Sequence, residues 1–300
     1  MTHPNLNQAV QYLQQGNVVA FPTETVYGMG ADAENPDAVR ELFRLKQRPA
    51  NIPLTIHLGT QCDPTRYAQI DDQAQDLMNA FWPGPLTLIL PKTDLVPDIV
   101  VASGPTVGLR MPSHPLCIAF LNAFGRGVAA PSANRHQHIS PTTAEHVHEE
   151  FGHELAAILD GGPCTVGLES TVLSLAHGIP TAFRLGAISL ERIEDCLGVP
   201  VKAPAAAGKK YRETKRIQVC TREEWMQHQS YNSDTTVVSM APDDTKVRWI
   251  GMPKSPEAYQ SKLYAVLRTL RDSDTTQIIV EPVPDAPEWR AIANRLARLT

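Results

Sequence analysis

The chain alternates short apolar runs with stretches of helical periodicity. In "PNLNQAVQYLQQG", Leu6, Val10 and Leu13 recur at helical spacing and Gly16 stops the run, which predicts a helix. "NVVAF" then predicts a short buried strand. In "NPDAVRELFRLK", Asn35 caps a helix, Pro36 suits its first turn, and Val39, Leu42 and Phe43 form the buried stripe. "IPLTIHL" predicts another strand. "DDQAQDLMNAFWPG" predicts a helix with Ala74, Leu77, Met78 and Phe81 inward.

"PLTLIL" and "TVGLRM" predict strands, and "GVAAPSAN" runs from an apolar segment into a polar loop. "SPTTAEHVHEEFG" predicts a helix capped by Ser140 with Pro141 in its first position. "AAILDGG", "STVLSL" and "TAFRLG" predict three more strands with no long helix between them. That mix implies an α/β domain whose sheet is not purely parallel.

Residues 199–216, "VPVKAPAAAGKKYRETKR", shift to proline, alanine and glycine and then to a basic cluster, as a linker does. Beyond it, "TVVSM", "SPEAYQSKLYAVLRTLRD", "TQIIVEP" and "EWRAIANRLARL" alternate strand and helix. They predict a small parallel, Rossmann-like sheet with right-handed crossovers. The expected layout is a larger domain over 1–200, a linker over 201–216 and a small α/β domain over 217–300.

Composition narrows the function. A net charge of −5 over 300 residues leaves no global basic footprint for a dedicated nucleic-acid binder. The five cysteines are scattered without a CxxC pair, which argues against a disulfide scaffold or thiolate zinc site and for a reducing, cytoplasmic setting. The first residues lack a signal-peptide pattern, and no apolar run nears the roughly 18 residues of a spanning helix, so no membrane partner is expected.

Polar residues collect where strands end. "PTETVYG" crowds Thr23, Glu24, Thr25 and Tyr27 after an apolar run, and "GLESTVLSL" repeats the motif with Glu169, Ser170 and Thr171. Turn chemistry accounts for either one alone. Lys46 and Arg48 follow a helix; in an extended exit they share one side, which suits a polyphosphate, while near a helix C-terminus they also complement its dipole. Ser132 and Asn134 alternate and can face one side. Ser140 at a helix start reads as a plain N-cap that can also meet an anion. Arg110, alone at the end of an apolar strand, reads as a surface charge.

His136, His138, His146 and His148 form two HxH pairs, but one lies in a loop and the other points to two helix faces, and no acid or cysteine completes a metal set. Walker, G-x-G-x-x-G and G-x-S-x-G motifs are absent.

Taken in order, "FPTETVYGMGADA", "LFRLKQRPANIPLTIHL", "WPGPLTLIL", "TVGLRMP", "APSAN" and "LESTVLSL" resemble the signature blocks of the YrdC-like family over about residues 5 to 200. The part with "KLYAVLRTLRD", "IIVEP" and "WRAIANRL" is similar to the second domain of the family's long form. The resemblance implies an open twisted mixed sheet with helices and a concave active-site cavity, plus a smaller C-terminal Rossmann-like domain.

It also implies a reaction. L-threonine, bicarbonate and ATP, with Mg²⁺, give L-threonylcarbamoyladenylate and pyrophosphate, for N6-threonylcarbamoyladenosine at position 37 of ANN-decoding tRNAs. Partner transferase proteins carry the product to tRNA, which this chain then holds weakly at most. By the same resemblance, Thr25, Tyr27, His57, Arg110, Ala130 and Ser170 hold or line the threonine site, Arg110 meeting the carboxylate by a bidentate pair. Lys46, Arg48, Thr106, Ser132, Asn134, Ser140 and Arg184 hold ATP, with Lys46 and Arg48 offsetting charge on pyrophosphate.

Tyr211 stands in for a lid tyrosine over ATP, with Lys209, Lys210 and Arg212 reaching phosphates. Glu24 is left either to brace a basic residue or to help hold Mg²⁺. A noncatalytic RNA-binding or ribosome-assembly role is the alternative the family allows.

Overall fold

A computed structural model describes residues 5–176, 178–204, 211–212, 216–227, 234–241 and 247–299. Two compact units emerge. One comprises residues up to His136 and Ser140–Pro204; the other comprises Gln137–Ile139 and residues 205 onward. Val201 and Lys202, expected in the linker, belong to the first unit, where Lys202 bridges Thr181.

The first unit runs α1 (Leu6–Gln14), β1 (Val19–Phe21), β2 (Gly28–Asp32), α2 (Pro36–Lys46), β3 (Thr55–His57), α3 (Asp72–Phe81), β4 (Leu86–Pro91), β5 (Thr106–Arg110), α4 (Pro115–Phe124), β6 (Val128–Ala129), α5 (Ala144–Phe151), β7 (Ala157–Ile158), β8 (Thr171–Ser174), β9 (Thr181–Arg184) and α6 (Leu190–Leu197). Its strands form one sheet in the order β7-β1-β2-β6-β3-β5-β4-β8-β9. Parallel and antiparallel pairs mix along it: β3 runs parallel to β5 and antiparallel to β6.

Period-two alternation sends neighbouring residues to opposite faces. Val19 and Phe21 of β1 pack with Leu13 of α1 and Phe120 of α4, whereas Val18 and Ala20 join the layer of Leu42 from α2 and Leu77 from α3. α4 was not legible from periodicity because "PLCIAFLNAF" is apolar nearly all round and shows no polar face.

Two expectations change here. α5 begins at Ala144, capped by the Thr143 side chain on the His146 N–H, so Ser140 is not the cap. Four residues earlier, Ser140 gives its hydroxyl to a buried carboxyl instead, and extended Thr143 supplies the acceptor at the helix start. The α2 exit is not extended: Gln47 adopts the left-handed conformation with φ 54°, and its N–H turns back to Arg44 and Phe43 carbonyls.

The second unit runs β10 (Arg216–Val219), α7 (Arg222–Gln227), β11 (Thr235–Ser239), β12 (Arg248–Gly251), α8 (Pro256–Asp272), β13 (Gln277–Val280) and α9 (Arg290–Leu296). Its sheet order is β10-β13-β11-β12, with every pair parallel. Within this unit the buried Arg268 guanidinium donates to the Ile139 carbonyl, and Arg212 N–H donates to the Gln137 carbonyl.

Candidate active site

The "PTETVYG" stretch is the β1–β2 connection. Thr23 organises it: its Oγ1 accepts from the N–H groups of Thr25 and Val26 and donates to the Val26 carbonyl at 2.6 Å. Its Oγ1 also lies 2.8 Å from Thr25 Oγ1. Both threonines are buried. Tyr27 O–H donates to the Gly162 carbonyl at 2.8 Å and accepts from Gly161 N–H, and burial pushes its phenol pKa up. The loop is thus stapled to residues 160–166, where Val166 N–H donates to the Glu24 carbonyl at 2.7 Å.

Arg110 ends β5 in register with His57 at the end of β3. It is not the surface charge that its isolation in the sequence predicts. Its side chain is 5% exposed and pairs with Glu24, itself 6% exposed, at 2.7 Å. The other Glu24 oxygen accepts from Ser113 N–H at 3.1 Å, so Glu24 braces a basic residue. Arg110 Nε donates to the Gly84 carbonyl at 3.3 Å. His57 Nδ1 is buried without a hydrogen-bond partner among the described residues. Burial and then the neighbouring Arg110 charge lower the His57 pKa to about 3, which keeps the imidazole neutral. Ala130 follows β6, and its N–H donates to the Thr55 carbonyl.

Ser170 precedes β8. Its Oγ lies 2.8 Å from Thr87 Oγ1 and accepts from Arg184 Nη2 at 2.9 Å, while Arg184 Nε donates to the Ser170 carbonyl. This close meeting needs a glycine nearby: a Cβ on Gly186 would stand 2.3 Å from Thr171 N and 2.4 Å from the Glu169 carbonyl oxygen. Ser140 donates to Glu169 Oε1 at 2.8 Å, with both residues buried.

Lys46 is buried, and its Nζ donates to the Ser132 and Asn134 carbonyls, the latter at 2.6 Å. Arg48 turns elsewhere, to the Ile52 and Pro53 carbonyls at 3.2 and 2.8 Å. The left-handed Gln47 between them explains the divergence of a pair expected to share one side.

The structure therefore gathers Thr25, Tyr27, His57, Arg110 and Ala130 around the ends of β1, β3, β5 and β6, with Ser170, itself held by Arg184, reaching Thr87 in the Gly84–Thr87 stretch that Arg110 also grips. Thr106 stands apart, at the opposite end of β5 from Arg110 and four residues away, about 13 Å along a strand. Tyr211 lies in the second unit, its hydroxyl 2.7 Å from that of Tyr264. Lys209 and Lys210 lie outside the described residues.

Sequence reasoning noticed Thr23 without giving it a role, and passed over Thr87 and the Ser113 N–H. The hydroxyl of Thr87 inside the apolar run "PLTLIL" was the available signal. Cys164, near the β1–β2 connection, is no nucleophile, because burial pushes its thiol up to about 12. Among the described residues no group of three or more His, Cys, Asp or Glu could hold a metal ion, and no helix is long and apolar enough to cross a membrane.

Comparison with known proteins places these elements. A family profile described as telomere recombination, Sua5–YciO–YrdC, matches residues 11–186. A second, described as the threonylcarbamoyl-AMP synthase C-terminal domain, matches residues 188–298. The chain is 38% identical to the threonylcarbamoyl-AMP synthase of Bacillus subtilis, over 98% of this chain and 92% of that one. It is 43% identical to the protein of the same name from Pyrococcus abyssi, over 67% of this chain and 59% of the relative. The crystal structure of Pyrococcus abyssi Sua5 complexed with L-threonine matches with a TM-score of 0.89 at 32% identity, covering 98% of this chain and 93% of that one.

Proposed function

This chain belongs to the Sua5–YciO–YrdC family in its two-domain form, and on that premise we propose that it makes L-threonylcarbamoyladenylate and pyrophosphate from L-threonine, bicarbonate and ATP. One observation carries the reading: 98% of the chain is similar to a relative named for that activity. The threonine complex of the Pyrococcus abyssi protein and the buried Arg110–His57 pair at neighbouring strand ends support it. No observation favours the noncatalytic RNA-binding alternative.

The reaction needs no covalent enzyme intermediate. The threonine amine adds to CO2 with loss of a proton, or condenses with bicarbonate with loss of water, to give a carbamate, whose oxygen attacks the α-phosphorus as pyrophosphate leaves. This is nucleotidyl transfer, and positioning with charge stabilisation supplies most of the rate. Arg110 meets the threonine carboxylate. Thr25, Ser170 and the backbone near Ala130 orient the amino acid, with Tyr27 shaping the wall.

His57 is neutral over the working range and offers a fixed polar edge rather than a charge. Arg48, Ser132, Ser140 and Arg184 hold the nucleotide, and Lys46 supports them by fixing the Ser132–Asn134 turn. Thr106 belongs to the same ATP assignment by family resemblance. Mg²⁺ arrives with ATP as part of the substrate, where it neutralises phosphate charge. The adenylate then passes to transferase proteins that modify tRNA.

The test is incubation with ATP, Mg²⁺ and bicarbonate, with and without L-threonine. Threonine-dependent pyrophosphate release and an adenylate of the right mass support the reading. Release that ignores threonine rejects it.

A further inference from the structure

We propose that Glu24 is a positioning residue: it locks Arg110 in advance so that the guanidinium offers its Nη1 side to the threonine carboxylate. The inference rests on the assignment of Arg110 to that carboxylate.

Three contacts carry it. Arg110 Nη2 donates to Glu24 Oε1 at 2.7 Å, and Nε donates to the Gly84 carbonyl at 3.3 Å. The Nε–Nη2 edge is thereby occupied by protein acceptors, while Nη1 has no acceptor among the described residues. Glu24 is itself pinned, through Oε2 to Ser113 N–H and through its carbonyl to Val166 N–H. The Glu24 carboxylate ties the β1–β2 connection to the end of β5 and to Ser113 beyond it, and the Glu24 backbone carbonyl holds the segment after β7.

Pre-ordering has a direct consequence for binding. A free arginine gives up rotamer freedom when it captures a carboxylate, and one already held at two nitrogens gives up little. The brace also selects the edge, so the bidentate contact expected for Arg110 must use Nη1 with the remaining Nη2 hydrogen. Both Glu24 oxygens accept from donors of the protein, which fits a bracing role.

The experiment uses the full chain with Glu24→Gln and Glu24→Asp. Threonine and ATP are titrated separately by pyrophosphate release and calorimetry, beside thermal unfolding and a Mg²⁺ titration. The expected result for Glu24→Gln is a threonine KM raised about tenfold or more, with ATP KM, the Mg²⁺ response and kcat at saturating threonine changed by less than about threefold. Glu24→Asp keeps the charge but withdraws the oxygens by one methylene, and shows the same selective loss at smaller size. Where Glu24→Gln does not fold, Glu24→Asp is read by the same criteria.

Parallel losses for threonine and ATP, or an unchanged threonine KM, overturn the inference. A parent chain that ignores threonine defeats the functional reading and this inference with it. A threonine-dependent parent with an unaffected Glu24 variant defeats this inference alone.

Discussion

Ser140 gives its hydroxyl to Glu169 Oε1 at 2.8 Å, although its place before a helix marks it as a cap. The cap of α5 is Thr143. The two roles predict different costs. Thr143→Ala removes a cap worth about 1 kcal/mol. Ser140→Ala removes a buried hydrogen bond to a carboxyl group, worth about 1.5–3 kcal/mol, and also weakens ATP binding. Urea unfolding and ATP titration of both variants decide the matter. A larger loss from Thr143→Ala, with ATP binding unchanged in Ser140→Ala, contradicts the assignment.

Lys46 predicts a loss that arginine does not restore. Lys46→Met takes the ammonium from the Ser132 and Asn134 carbonyls, at a cost of roughly 2–3 kcal/mol, and loosens the turn assigned to ATP. In Lys46→Arg a planar fork replaces a compact charge in a buried space, so ATP affinity stays low. Calorimetric ATP binding near that of the parent in either variant contradicts this.

His57 predicts a pH dependence. Its folded-state pKa of about 3 lies below the ordinary 6.5. As pH falls, the unfolded chain takes up this proton first. Its contribution is therefore fully present above pH 6.5 and lost as pH falls from there toward 3, by roughly 1.4 kcal/mol per pH unit. In His57→Asn the decline of Tm between pH 6.5 and about 5 is shallower than in the parent. Equal slopes over that range count against a neutral buried imidazole.

Gly186 predicts a packing penalty with a functional echo. Gly186→Ala places a methyl against the Glu169–Thr171 backbone, costing about 1–3 kcal/mol and shifting Ser170 from Arg184. The urea midpoint falls and pyrophosphate release declines with it. An unchanged midpoint means the backbone yields without strain.

Much of this was legible in the sequence because the signal was local. Asn35 and Pro36 open α2, and Ala74, Leu77 and Met78 face inward on α3, as their spacing requires. The strand ends with crowded polar residues were visible too. The pairing of those residues was not, because it joins positions far apart in sequence. Glu24 and Arg110 are separated by 86 positions, and neither shows alone that the other compensates it. Lys46 read as a dipole partner because its acceptors are carbonyls near residue 133, which any sequence provides. Gln47 concealed its left-handed turn because a side chain other than glycine usually avoids that region.

The central claim is tested most directly by the atoms of the product. The full chain is incubated with L-threonine, ATP, Mg²⁺ and bicarbonate labelled with a heavy carbon isotope, and the adenylate is weighed by mass spectrometry. The account predicts threonylcarbamoyl-AMP carrying the label, formed with pyrophosphate and only when threonine is present. Pyrophosphate released without threonine, or an adenylate that lacks the label, contradicts it.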